Sequence, residues 1–338
     1  MSKAGIGGSP SGRPTASTSW CHSTISAVGW YTEVTWPSSG RRRACRQGVR
    51  SQELGMERTT LAERLGYGRT DRLLIVNCDD LGSSHSANVA TLDAVTRGIA
   101  TSATLMVPCP WAREAARLFE GLSVGVHLTL TSEYPGYRWR GLSAGASLHD
   151  QDGFLPATTR AALERLDAAD ARIECQLQIE AALSWNLDVT HLDAHMNVMQ
   201  ARSDLFEVYL DLAQAFRLPV RMFSPQETAR QGFRARERAE ARGILFPEHI
   251  VYPWPRPTRE VFFEEIPKLL PGITEIFAHP VHDGDELRAY DPLHSEIRTH
   301  DAGCLIDPAV SELLEQNGIR RISFREIRDL QRISGGAA

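Results

Sequence analysis

Leu73-Leu-Ile-Val-Asn-Cys-Asp-Asp-Leu-Gly82 decides how this chain is read. Four apolar residues run into two adjacent carboxylates and a glycine, the pattern of a buried strand ending in a polar turn. Two charges are costly inside a strand covered on both faces. Asp79 and Asp80 are therefore expected at its exposed carboxyl end, where α/β folds build their sites. Alone, the same residues also fit a plain Asp-Asp-Leu-Gly turn into a helix.

Outward from this stretch, short apolar runs alternate with helical ones, as in parallel α/β architecture. Residues 83–97 read as a helix, with Val89, Leu92 and Val95 at helical spacing and Gly98 as its stop. Further strands are expected at 102–107, 124–131, 189–195, 218–223, 250–252, 274–280 and 320–324. Helices are expected at 111–119, 161–183, 205–216, 224–247, 261–270 and 311–316, with another at the end of the chain. Residues 132–157 hold four Gly, two Pro, Arg138 and Arg140; a loop that long inside a compact domain is usually functional. Residues 281–304 read as loop-rich and contain His282, Asp283, Asp285, His294, His300 and Asp301.

At 338 residues, 42% hydrophobic and 23% charged, the composition is that of an ordinary soluble globular protein. No apolar run approaches the roughly 18 residues of a membrane span. The net charge of -5 is uneven: residues 1–56 carry +5 and the remainder -10, which argues against a phosphate-binding surface on the folded body. Six cysteines without a Cys-x-x-Cys pair suggest neither a zinc ribbon nor a disulfide framework and fit a reducing, cytoplasmic setting. Residues 1–55, rich in Gly, Ser, Thr, Pro and Arg, are expected to be a disordered extension, with Met56 a candidate start. Residues 56–338 then form a single domain.

The informative regularity is positional. Asp79, Asp80, His127, His195 and His279 belong to four separate expected strands and fall at or near their carboxyl ends. In a parallel barrel those ends converge on one face. Two histidines and a carboxylate suit a catalytic divalent ion, because they leave positions open for water and substrate. A remaining carboxylate and histidine can then act as base and acid. In Val189-Thr-His-Leu-Asp-Ala-His195, strand alternation sends His191, Asp193 and His195 to one side.

Five segments resemble the YdjC-like carbohydrate deacetylases: Leu74-Ile-Val-Asn-Cys-Asp-Asp-Leu-Gly82, Gly98-Ile-Ala-Thr-Ser-Ala-Thr104, Val124-Gly-Val-His-Leu-Thr-Leu-Thr131, Thr190-His-Leu-Asp-Ala-His195 and Glu275-Ile-Phe-Ala-His-Pro280. The resemblance implies an irregular or incomplete (β/α) TIM-like barrel of about seven parallel strands and hydrolysis of an N-acetyl group on a sugar. It makes Asp80, His127 and His195 the ligands of one divalent metal ion, Asp79 the general base and His279 the acid. Many members continue with further histidines after His195, where this chain has Met196-Asn-Val-Met199. Arg221 is expected beside Asp79, keeping it ionised. His191, Asp193 and Arg138 are expected to orient ligands or contact substrate. Two imidazoles and a carboxylate lean toward zinc or another transition ion, and the resemblance also admits magnesium.

The expected partner is an N-acetylated sugar, with a homodimer left open and neither nucleic acid nor membrane. Tyr134, Tyr137, Trp139, Tyr252 and Trp254 are candidates for stacking on sugar rings or for loop packing. Competing readings are a metal-dependent hydrolase of another bond, such as a phosphoester, and a non-catalytic sugar-binding protein on the same fold.

Overall fold

The apolar front of the diagnostic stretch builds the middle of a sheet. Leu73, Leu74, Ile75 and Val76 are fully buried in strand β1 (Arg72–Leu81). The computed structural model describes residues 59–334, so the expectations for residues 1–55 and for Met56 lie outside the described residues. Six further strands join β1: β2 (Ser102–Leu105), β3 (Val124–Leu128), β4 (Val189–Ala194), β5 (His249–Val251), β6 (Gly272–Ala278) and β7 (Arg320–Arg321). Their order is β4-β3-β2-β1-β6-β5, with β7 pairing β1, and every pairing is parallel. The result is an incomplete (β/α) barrel, a curled sheet of seven parallel strands with helices between them.

Strand alternation divides the side chains of β1 between two environments. Leu74, Val76 and Cys78 join the large core under the helices. Leu73 and Ile75 join a second cluster with Ile273, Ile322, Phe324 and Ile327. On that second side the strand turns polar toward its carboxyl end: Asn77 donates to Thr104 Oγ1 at 3.0 Å, and Thr104 donates to Asp193 Oδ2 at 3.0 Å. Asp79 and Asp80 stand at the strand end as expected, but they are buried there, at 4% and 3% exposure. The loops and helices that fold over the strand ends enclose them.

Several elements differ from expectation for local reasons. Residues 218–223 lie beside β4 without forming a strand: there is one bridge, Leu192 to Val220, with Arg221 N–H donating to Leu192 O at 2.9 Å. Pro219 has no N–H for a ladder. The helix expected at 161–183 is two helices, Thr159–Arg165 and Ala168–Ser184, because Asp167 caps the second by accepting from Ala169 N–H at 2.8 Å. Residues 224–247 likewise break at Gly232, φ 79°, into Pro225–Gln231 and Ala235–Ala241. Residues 281–304 contain two helices, Asp285–Tyr290 and Ser295–Leu305. Their apolar period is masked because Arg298 and Asp301 occupy buried positions of the second. Phe324 begins the final helix and is not the end of a strand. Among the described residues, no helix is long and apolar enough to cross a membrane.

Candidate metal centre and active site

Three strand ends bring Asp80, His127 and His195 together. Asp80 adopts φ 62°, unusual for a residue with a side chain, at the point where β1 turns. His127 lies within β3, and His195 follows directly on β4. Asp80 Oδ1 is 3.4 Å from His127 Nε2 and 3.2 Å from His195 Nδ1. All three side chains are buried, and Asp80 Oδ1 has no hydrogen-bond partner. A buried carboxylate oxygen without a donor, facing one nitrogen from each of two imidazoles, is a donor set that a divalent cation fits.

The remaining polar atom of each of these side chains is tied elsewhere, as metal ligands require. His127 Nδ1 is 2.5 Å from Asp193 Oδ1, and the two residues are register partners in the β3–β4 pairing. His195 Nε2 lies 2.9 and 3.1 Å from the two carboxylate oxygens of Glu133. Arg298 Nη1 donates to Asp80 Oδ2 at 2.9 Å. A second group, Asp79, His127 and Asp193, also has clustered donor atoms. There, however, Arg221 Nη1 is 2.6 Å from Asp79 Oδ2 and 3.0 Å from Asp193 Oδ2, so a guanidinium already supplies the positive charge.

The electrostatics of the trio follow from burial opposed by charge. Burial disfavours imidazolium, but Asp193 outweighs it and pushes His127 up to about 10. Burial is likewise outweighed at His195, where Glu133 and Asp80 push the ring up to about 9. Asp80 is held well below the usual carboxylate range despite its burial, by the two imidazoles of His127 and His195 that face it and by the Arg298 guanidinium.

Asp79 sits beside this trio in a different partnership. Arg221 Nη1 and Nη2 donate to its two oxygens at 2.6 and 2.7 Å, and Asn77 Nδ2 donates to Oδ1 at 2.8 Å. Burial would raise its carboxyl, but Arg221 holds it below its ordinary value, so it is ionised at neutral pH. Arg221 also donates from Nε to Glu275 Oε1 at 2.8 Å and lies over the Phe277 ring. His279 Nε2 is 4.0 Å from Asp79 Oδ2, with Trp254 against its ring at 4.7 Å between centroids. Burial dominates at His279 and lowers it to about 4, despite the neighbouring Asp80 and Asp79. Its imidazole is neutral at pH 7.

The structure thus gathers Asp79, Asp80, His127, Asp193, His195, Arg221 and His279. It places two other candidates elsewhere. His191 is stacked on Phe324 at 3.7 Å and hydrogen-bonds Thr190 Oγ1 at 3.0 Å, deeper in the sheet. Arg138 is held within the 132–157 loop by Asp150, at 2.8 Å, and lies over Phe154. Sequence reading missed Glu133, Asn77, Glu275 and Arg298. Asn77 and Glu275 lie inside the diagnostic stretches, two residues before Asp79 and four before His279. Glu133 and Arg298 carry no local signal, coming from a loop and from a helix remote in sequence. Of the aromatics, Tyr134 and Trp139 are buried, whereas Tyr137, Tyr252 and Trp254 are half-buried. Tyr137 and Tyr290, with Gly136, Glu286 and Ala289, line a cavity of about 230 Å³.

Known proteins are similar to this chain over much of its described length. The chain is 32% identical over 263 residues to a carbohydrate deacetylase of Geobacillus stearothermophilus, covering 77% of this chain and 99% of that protein. It is 42% identical over 158 residues to a carbohydrate deacetylase of Thermus thermophilus, covering 47% of this chain and 56% of that protein. The fold matches a crystal structure of a candidate cellobiose-phosphate cleavage protein from Enterococcus faecalis V583, with a TM-score of 0.68 at 23% identity over 76% of this chain and 99% of the other. Residues 73–316, a span that opens on β1 and contains every residue of the two clusters around Asp79 and Asp80, match the family described as YdjC-like protein, and the chain belongs to that family.

Proposed function

We propose that this protein is a metal-dependent hydrolase that removes an N-acetyl group from an amino sugar or an N-acetylated oligosaccharide. The observation that carries the reading is the partnerless Oδ1 of Asp80, aimed at one nitrogen each of His127 and His195, next to an ionised Asp79 whose oxygens are both held by Arg221. A cation-binding protein without catalysis has no use for that second carboxylate. Relatives named carbohydrate deacetylase support removal of an acetyl group and a carbohydrate substrate.

Asp80, His127 and His195 would hold the ion, with zinc favoured by two nitrogen donors and magnesium admitted by the family. When bound, the ion supplies Lewis acidity toward an amide carbonyl and toward the attacking water. Asp79 Oδ2 takes the proton from that water, and Arg221 keeps Asp79 charged and aimed. Amide nitrogen is a poor leaving group until it is protonated. His279 is neutral at pH 7, so the proton it delivers must be acquired during the reaction. Asp79, 4.0 Å away, is the group that holds one after water is deprotonated. The products are acetate and a free amine.

The test is acetate release from a panel of N-acetylated sugars and short oligosaccharides, with and without Zn²⁺ or Mg²⁺, for wild type and Asp79→Asn. Metal-dependent release that disappears in the variant is expected. Stoichiometric metal binding with no acetate released from any panel member would sink the deacetylase assignment.

A further inference from the structure

Arg298 stands in the helix Ser295–Leu305, 218 residues from Asp80 in sequence, and is buried at the site. Each of its nitrogens has a different partner. Nη1 donates to Asp80 Oδ2 at 2.9 Å, Nε to Asp291 Oδ2 at 2.8 Å and Nη2 to the Tyr134 hydroxyl at 2.8 Å. The guanidinium also lies over the Trp254 indole, 5.4 Å from the ring centroid. A side chain fixed at four points has no rotamer to spare.

A carboxylate can meet a cation with one oxygen or with both, and a short aspartate free to turn about its terminal bond can switch between them. Here Oδ2 is occupied by Arg298, and Oδ1 is the buried oxygen without a partner. We infer that Arg298 is a positioning residue that confines Asp80 to one-oxygen coordination. The inference rests on the proposal that Asp80, His127 and His195 hold a divalent ion. It has a functional consequence, because an aspartate binding through both oxygens would take one of the positions that water and substrate need.

The role is geometric, and its sign distinguishes it from an electrostatic one. A guanidinium beside a cation site repels the incoming ion, so a role through charge alone predicts tighter binding once Arg298 is removed. Asp291 accepts from Arg298 and offsets much of that charge, leaving the hydrogen bond to Asp80 as the main effect. Positioning therefore predicts weaker binding on removal, by about 10–100-fold, the usual consequence of losing a partner that orients a ligand.

The experiment uses the full chain and Co²⁺, whose visible absorption reads coordination number. Affinity is taken from titration against a competing chelator for wild type, Arg298→Gln and Arg298→Lys. Both variants are expected to lose about 10–100-fold in affinity and to show altered absorption band shape and intensity. Lysine keeps the charge but not the fork, so it should not restore wild-type behaviour. Should Arg298→Gln or Arg298→Lys not fold by circular dichroism, Asp291→Asn, which loosens Arg298 without deleting it, should shift the spectrum in the same direction. Folded variants that bind Co²⁺ as tightly as wild type, or more tightly, with an unchanged spectrum would overturn the role of Arg298 alone. Wild-type protein that takes up no Co²⁺ would overturn the metal reading itself, and this inference with it.

Discussion

Asp79 and Asp80 are adjacent, equally buried and chemically identical, yet their surroundings assign them different work. Asp80 faces two imidazoles with an oxygen left free, whereas both oxygens of Asp79 accept from Arg221. Asp79→Asn should thus lower kcat by about 10²–10⁴-fold while leaving metal affinity within a few-fold of wild type; isothermal titration beside an acetate assay separates the two effects. Arg221→Lys keeps a positive charge but loses the paired donors. Burial then raises the Asp79 carboxyl against a weaker opposing pull, so at a given acidic pH less of it is ionised. The acidic limb of the pH profile of kcat/KM should move to higher pH; an unmoved limb would mean that Arg221 does not tune the base. Metal uptake has its own pH dependence. His127 and His195, pushed up to about 10 and about 9, both carry protons at pH 7 that a cation must displace. Zn²⁺ affinity should rise steeply between pH 6 and pH 8, with release of about two protons per ion. A flat profile, or no proton release in a pH-indicator assay, would contradict this.

At the scale of elements, the site depends on strands held in register. His127 and Asp193 are partners across β3 and β4, and the imidazole–carboxylate contact follows directly from that register. Gly125, two residues earlier on β3, permits the close approach. A Cβ there would lie 2.5 Å from His191 Nδ1 and 2.6 Å from the His191 carbonyl oxygen. Because backbone is among the atoms in the way, Gly125→Ala should cost about 1–3 kcal/mol or more and also weaken metal binding by separating His127 from Asp193. Denaturant midpoint and Zn²⁺ affinity measured together check it, and a variant with wild-type values for both would show that the strands can part without penalty. This dependence explains what was legible in the sequence. Carboxylates and histidines at the ends of apolar runs are visible because strand alternation and termination are local. Glu133 and Arg298 were not, since each reaches its partner only through tertiary contact. His191 misled for a related reason: alternation places it on the right side of β4, but nearer the amino end, where its ring packs on Phe324.

At the scale of the whole molecule, the parallel barrel was legible from the alternation of strand-like and helical runs, whereas its irregular, incomplete closure was expected only through the family resemblance and not from that alternation. Pro219, Val220 and Arg221 set that edge through two hydrogen bonds with Leu192 and one with Leu245, too few to leave a periodic pattern. The other end of the barrel is stabilised by the start of the described chain. Thr60 and Glu63 form a capping box for the helix Leu61–Arg64, and Leu61 and Ala62 are buried against the cluster containing Leu73, Ile75 and Ile273. Glu248 ties the two parts together, accepting from Leu61 N–H at 3.1 Å and from Ile273 N–H at 2.9 Å. A chain beginning at Met56 retains all of these contacts. A chain beginning at Tyr67 loses the buried Leu61 and leaves Glu248 with one fewer donor. Loss of that leucine alone is worth roughly 1.5–3 kcal/mol, which for a domain of this size lowers Tm by several degrees. Thermal melts of these two chains decide the matter: equal Tm for the chains beginning at Met56 and Tyr67 would mean that the helix Leu61–Arg64 contributes nothing to the barrel.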